Sequence, residues 1–291
     1  MGDSDLPGDW VALHEAAWAA GWSIDGASTG YRAGWTYTAT THDRRQRRAF
    51  ATASAMRAWA AGGYVGLPAP YYDHHGITIY HGDCQAILPW LTSTGAAVVS
   101  DVPYGRVLRS GWNGAHGNCA IANDDDTTVR DAIIAWATER RIPAVIFGSP
   151  AVPRPAAITP ARVLIWDKGE HVGMGDLTWP WKPNYEEIYI LGDGYQGRRT
   201  SSVLRYNAIA GTVALAHGRT HPTEKPVGLM QALITKCPGT LIIDPTMGTG
   251  ATLVAAKNLG RCAIGIELDE RYCEQAAQRL AQEVLDFDEA A

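Results

Sequence analysis

Two short segments, Asp101-Val102-Pro103-Tyr104-Gly105 and Asp244-Pro245-Thr246-Met247-Gly248-Thr249-Gly250, each follow an apolar run and carry groups suited to complementary halves of one reaction. In the first, an acceptor carboxylate, a proline-stiffened turn and an aromatic ring suit the grip of a planar base by its exocyclic amine. In the second, a carboxylate at a strand end and a Gly-x-Gly turn opening a helix suit a nucleoside-containing cofactor. Further on, Cys262 to Glu267 reads as another strand ending in a carboxylate, placed to accept hydrogen bonds from a ribose diol. Leu253 stands where the third glycine of a dinucleotide fingerprint would be, which argues against a pyrophosphate-bearing ligand. The competing reading of this segment alone is an ordinary strand-to-helix turn with packing glycines.

Alkylating an exocyclic amine is difficult because the nitrogen lone pair is conjugated into the ring. Two acceptors facing the amine hydrogens let the nitrogen move toward tetrahedral geometry as it attacks, and the Asp101 carboxylate with the Val102 carbonyl supply two. Tyr104 supplies a stacking face. Such a base reacts only outside the duplex, so it must be flipped out.

These groups need a scaffold that gathers strand ends. From Ile77 the chain alternates: strand Ile77 to Tyr80, helix Gln85 to Leu91, strand Ala96 to Ser100, helix Val129 to Glu139, and strands Ala144 to Phe147 and Arg162 to Trp166. After an irregular aromatic region come helix Val227 to Lys236, strand Thr240 to Ile243, helix Ala251 to Leu259, strand Cys262 to Ile266 and a helix from Glu270. This alternation predicts an α/β fold with a mostly parallel sheet covered on both faces, its sites at the carboxyl ends of strands, where Asp83, Asp101, Asp244 and Glu267 fall. Ahead of it, Trp10 to about Gly66 reads as helix, two strands (Gly34 to Thr41 and Arg47 to Ala51) and helix. Gly66-Leu-Pro-Ala-Pro marks a boundary. The expected domains are 1–66, a small α+β appendage, and 67–291.

The ordered set of Gly82-Asp83 before Leu88, Asp101-Val-Pro-Tyr104, His221-Pro-Thr-Glu-Lys225-Pro226, the glycine turn and Glu267 resembles the amino-group DNA methyltransferases, which methylate adenine N6 or cytosine N4 with S-adenosylmethionine. With the aspartate-proline-tyrosine block first and the cofactor motif last, the order is similar to the circularly permuted beta group. Val102 replaces the first proline of the family's (D/N/S)-P-P-(Y/F) pattern; the acceptor there is a backbone carbonyl, which any residue provides. The resemblance covers roughly residues 77 to 280 and implies a Rossmann-like methyltransferase fold. It implies catalytic roles for Asp101, Val102, Pro103 and Tyr104. Cofactor contacts would fall to Asp83, His221, Lys225, Pro226, Asp244, Thr246, Met247, Gly248, Gly250, Glu267 and Leu268, with no metal. As a lone Gly-Asp, Asp83 equally reads as a helix cap. Aspartate at the first motif position favours adenine N6; cytosine N4, and a catalytically weak DNA-binding homologue acting as a decoy or regulator, are the alternatives.

The resemblance places target recognition between the catalytic block and Lys225, roughly residues 168–220, where Arg198, Arg199 and Arg205 are DNA candidates while Trp166, Trp179, Trp181 and Tyr185 also suit packing. Arg44, Arg45, Arg47 and Arg48 in the appendage suit phosphate contacts, or a solvated turn. Gly111 to Asp126 reads as a flexible loop placed to close over a flipped base.

Bulk properties bound the rest. A chain of 291 residues with 46% hydrophobic residues holds a sizeable core, and a net charge of −5 excludes coating of nucleic acid by global electrostatics without excluding a local basic groove. Five cysteines without metal-ligand spacing, no signal core and no long apolar span point to a reduced, cytoplasmic protein. Double-stranded DNA is the expected partner; a homodimer is allowed, and any cognate nuclease is unnamed.

Overall fold

The computed structural model describes residues 67–104, 126–159, 162–170, 180–182, 184–208 and 224–281, together with three strands nearer the N-terminus. The chain forms two compact units, Met1–Pro68 and Ala69–Ala291.

In the first unit, β1 (Trp22–Ser28), β2 (Trp35–Thr41) and β3 (Arg47–Phe50) make an antiparallel sheet in the order β1-β2-β3. The sequence reading of two strands missed β1, whose Asp25 and Gly26 depress strand propensity and whose register is set by pairing along all seven residues with β2. The helices expected before and after these strands, and Arg44 and Arg45, lie outside the described residues; Arg47 and Arg48 begin β3, opposite Thr40 and Ala39.

The second unit is built on nine strands. They are β4 (Tyr72–His74), β5 (Ile77–His81), β6 (Ala96–Ser100), β7 (Ala144–Gly148), β8 (Val163–Asp167), β9 (Tyr185–Leu191), β10 (Val203–Arg205), β11 (Leu241–Asp244) and β12 (Cys262–Glu267). Their order is β10-β8-β9-β7-β6-β11-β12-β5-β4. All run in one direction except β9, antiparallel to both its neighbours, and edge strand β4. Central β6 and β7 are buried along their whole length, which is why they read as unbroken apolar runs.

Among the described residues five helices cover the sheet: α1 (Cys84–Ile87), α2 (Thr128–Glu139), α3 (Val227–Ile234), α4 (Ala251–Asn258) and α5 (Glu270–Ala281). The helix expected from Gln85 to Leu91 is only one turn of α-helix followed by a 3-10 turn, Leu88–Trp90, because Pro89 has no N–H to continue the ladder. Helices α3, α4 and α5 pack in succession over the face carrying Ile79, Ala97, Val99, Val145 and Phe147. The alternate residues Val98, Ile146 and Ile243 are buried as well, so both faces are covered. No helix among the described residues is long and apolar enough to cross a membrane.

The aromatic region read as irregular contains β9 and β10. Because β9 runs backwards, its first residues Tyr185 and Glu186 arrive at the same sheet edge as the last residues of the parallel strands. That edge is where the chemistry-bearing residues meet.

Candidate active site

Asp101 follows β6 and Asp244 ends β11, and these strands are parallel neighbours, so two motifs far apart in sequence emerge side by side. A buried polar knot joins them. Ser100 Oγ donates to Asp244 Oδ1 (2.6 Å) and lies 2.8 Å from Thr246 Oγ1, which donates to the Asp101 carbonyl (3.1 Å). Burial pushes the Asp244 carboxyl up to about 6, opposed by hydrogen bonds from Ser100, Thr252 and Thr246. Ser100 was not singled out in the sequence, where it reads as the polar end of an apolar run.

The Asp101 side chain, 26% exposed, accepts from two directions: Lys225 Nζ to Oδ2 and Tyr104 OH to Oδ1, both at 2.5 Å. A second carboxylate, Glu186, stands behind both donors, with Oε2 at 3.1 Å from the Tyr104 hydroxyl and 3.3 Å from Lys225 Nζ. Its other oxygen, Oε1, takes Lys168 Nζ at 2.6 Å. The Lys225 side chain is 4% exposed and its charge lies 5.2–5.7 Å from the ring centroids of Phe147, Trp166 and Tyr104, close enough for cation–π attraction. Burial works against that charge, but Asp101 and Glu186 outweigh it and raise the Lys225 pKa. Burial likewise works against the charge of Glu186, and Lys225 and Lys168 override it and lower that pKa. Burial, then the two carboxylates, drives the Tyr104 hydroxyl well above its ordinary value. Glu186 and Lys168 were not recognised in the sequence as site residues. Val102 is buried, and Pro103 is half-buried beside it.

The cofactor candidates gather on the neighbouring strand ends. Gly250, at φ +79, opens α4; a Cβ there would lie 2.8 Å from Ala276 Cβ of α5. Gly248, at φ +52, faces open space: a Cβ would meet nothing within 4 Å. Glu267, at the end of β12, accepts the backbone N–H of Gly248 on Oε2 (2.9 Å) and of Asp269 on Oε1 (2.8 Å). Each carboxylate oxygen has a further lone pair, so both retain acceptor capacity. Burial raises the Glu267 pKa, opposed by these backbone donors. The Gly82 N–H donates to the Glu267 carbonyl, bringing Asp83 to the same edge, where its side chain caps α1 by accepting from Gln85 N–H. His81 Nε2 lies 3.1 Å from the Leu268 carbonyl, and the Leu268 side chain is 44% exposed. An open glycine turn, a carboxylate with spare acceptor capacity and an exposed apolar side chain fit a nucleoside cofactor. Met247 is different: its side chain is buried, and its sulfur fills the space left by the missing side chain of Gly265 on β12. Pro226 caps α3 beside Lys225, and His221 lies outside the described residues.

The recognition candidates separate. Arg205 ends β10 at the site edge, where its Nε donates to Asp167 Oδ2 (2.9 Å). Trp181 (68% exposed) and Tyr185 are open to solvent, whereas Trp166 is buried with its ring N–H on the Tyr206 carbonyl. Arg198 and Arg199 lie at the opposite edge. Lys236, just beyond the far end of α3, donates to the Arg198 carbonyl, and nearby Tyr195 OH donates to the carbonyl of Ala144 at the start of β7. Trp179 and residues 105–125, with nearly all of the expected closing loop, lie outside the described residues.

A sequence profile of the family described as DNA methylase, comprising N6 and N4 methyltransferases, matches residues 119–278, more than half of the 291-residue chain. The chain belongs to this DNA methylase family. The matched span begins after Tyr104 and does not include Asp101-Val102-Pro103-Tyr104. Among curated methylases, the chain is 51% identical over 65 residues to "Putative methylase YubD" of Escherichia coli (strain K12), covering 22% of this chain and 29% of that protein. It is 36% identical over 72 residues to "Type II methyltransferase M.HpaI" of Haemophilus parainfluenzae, covering 24% and 23%. The chain thus spans less than a third of the length of these two relatives. The solved structure of the PvuII DNA methyltransferase (cytosine-N4-specific) superposes with a TM-score of 0.56 over 75% of this chain and 90% of that one at 13% identity, a shared fold.

Proposed function

We propose that this methylase transfers a methyl group from S-adenosylmethionine to the exocyclic amine of a base flipped out of double-stranded DNA, with adenine N6 as the target. The observation that supports the proposal is the junction of Asp101 and Asp244 on adjacent parallel strands through Ser100 and Thr246, which brings the candidate amine acceptor beside the candidate nucleoside turn.

In this reading Glu267 accepts from the ribose, Leu268 lies against the cofactor's adenine, and the open turn at Gly248 admits the nucleoside. When bound, the cofactor supplies an electrophilic methyl group on a sulfonium. The residues of this chain do the rest. The Asp101 carboxylate and the Val102 carbonyl accept from the amine hydrogens and localise the nitrogen lone pair, Tyr104 stacks on the flipped base, and Asp101 takes up the proton that the alkylated amine sheds. Flipping the base out costs a few kcal/mol, which stacking on Tyr104 partly offsets. Arg205 and the exposed Tyr185, both beside Asp167, lie at the sheet edge where a DNA strand would enter.

Aspartate at position 101 supports adenine; cytosine N4 is the competing target. The test is transfer of radiolabelled methyl from S-adenosylmethionine to unmethylated genomic DNA and to RNA, followed by nucleoside analysis, with Asp101→Ala as control. N6-methyladenine in DNA is the expected product. N4-methylcytosine would reassign the base, and label in RNA alone would overturn the DNA substrate.

A further inference from the structure

The Asp101 carboxylate is poorly disposed toward an incoming amine as it stands. Each Asp101 oxygen keeps a further lone pair, but the Lys225 ammonium on Oδ2 cancels the negative potential that the amine hydrogens need, and the Tyr104 hydroxyl shares Oδ1. The same two donors each lie within 3.3 Å of Glu186 Oε2, and the Glu186 carboxylate is anchored through its other oxygen by Lys168. Three aromatic rings wall the Lys225 ammonium, stabilising its charge whichever carboxylate it faces.

Resting on the function proposed above, we propose that Glu186 is a positioning residue that releases Asp101. As the target amine enters, the Tyr104 hydroxyl and the Lys225 ammonium turn from Asp101 onto Glu186, leaving the Asp101 oxygens to the amine. Only hydrogen bonds exchange, and no covalent bond or net proton moves. Glu186 occupies the right place because β9 is antiparallel: its N-terminal residues, and not its C-terminal ones, reach the site edge beside Trp166 and Asp167 of β8. Lys168 keeps Glu186 ionised and fixed while it receives the second cation.

The direct test is a crystal structure of the protein with sinefungin, a non-reactive cofactor analogue, and a duplex carrying its methylation site. Lys225 Nζ and the Tyr104 hydroxyl are expected on Glu186, with the base amine on Asp101; both donors still on Asp101 beside a bound base overturns the inference. In solution, Glu186→Gln should lower kcat by roughly 100-fold while S-adenosylmethionine affinity by calorimetry stays within about twofold. Tyr104→Phe removes one donor that Glu186 must accept, so the loss from Glu186→Gln should be smaller in the Tyr104→Phe background than in the wild type. Equal turnover by Glu186→Gln and wild type, or losses that simply multiply in the double variant, overturns it too. If Glu186→Gln fails to fold, the ternary structure of the unaltered protein decides alone. Absence of transfer by the wild-type chain, in contrast, defeats the proposed function and this inference with it.

Discussion

Burial holds the Asp244 carboxyl near pH 6 although three hydrogen bonds favour its charge, and this has a sign that can be measured. The native state keeps a proton that an unfolded aspartate with an ordinary pKa near 3.9 has lost, so stability falls as pH rises from about 4 to about 6 and is level above. Asp244→Asn keeps an acceptor for Ser100 and removes that fall. Relative to the wild type it should gain roughly 2 kcal/mol in urea unfolding between pH 4.5 and pH 7.5; a gap that does not vary with pH would place the effect elsewhere. At the amine pocket the expectation concerns function. Asp101→Ala should abolish turnover while leaving cofactor affinity nearly intact, and Glu186 remains to neutralise Lys225, so the fold survives. Cofactor affinity measured by calorimetry should fall for Asp244→Ala instead, and an equal loss in both variants would refute that division of labour.

Among the elements, the loop from Asp244 to Gly250 contains two left-handed glycines with different reasons to lack a side chain. Gly248→Ala meets open space, so it should cost roughly 1 kcal/mol of stability yet block the cofactor. Gly250→Ala drives a methyl group into Ala276 of α5 and should cost clearly more stability. Thermal melts with and without S-adenosylmethionine separate the two, and the reverse ranking would mean that the turn is misassigned. Helix α5 also secures the element that carries Lys225: Arg279 Nη2 lies 3.0 Å from the buried Glu224 carboxylate, while Arg279 Nη1 donates to the Thr249 carbonyl. Removing Arg279 takes this cation away from a buried carboxylate, and Arg279→Ala should lose on the order of 3 kcal/mol in urea unfolding; a change within error would show the bridge to be dispensable. The parallel strands and their acidic ends were legible because apolar runs punctuated by Asp or Glu have few other meanings. Strand β9 was not, because Glu186 and Glu187 interrupt its apolar pattern. Glu187 is buried and Glu186 largely so, and the cations that allow it, Lys225 and Lys168 for Glu186 and Arg154 for Glu187, come from other segments that no local window includes. The same non-locality hid Glu186 from the site reading. Motif spacing singled out the residues proposed to touch substrate but not Glu186, which stands behind them.

At the scale of the whole molecule, 30 acidic residues outweigh 25 lysines and arginines, so any affinity for DNA must come from local arrangement. In the second unit Arg205 lies at the site edge, whereas Arg198 and Arg199 lie at the far edge, which reduces the basic surface that the recognition segment presents beside Asp101. The arginines of the first unit are therefore the stronger candidates for added phosphate contacts. Replacing Arg44, Arg45, Arg47 and Arg48 together should lessen the slope of log affinity against log salt by up to about 4; an unchanged slope would make the first unit structural. The central claim is that a chain with these two joined motifs methylates an exocyclic amine in DNA. It is tested most directly by expressing the protein in a host that lacks DNA methylation and sequencing the genome by a modification-sensitive method beside the Asp101→Ala variant. N6-methyladenine at one defined sequence, absent with the variant, is the predicted result, and an unmodified genome from cells containing folded, cofactor-binding protein would contradict it.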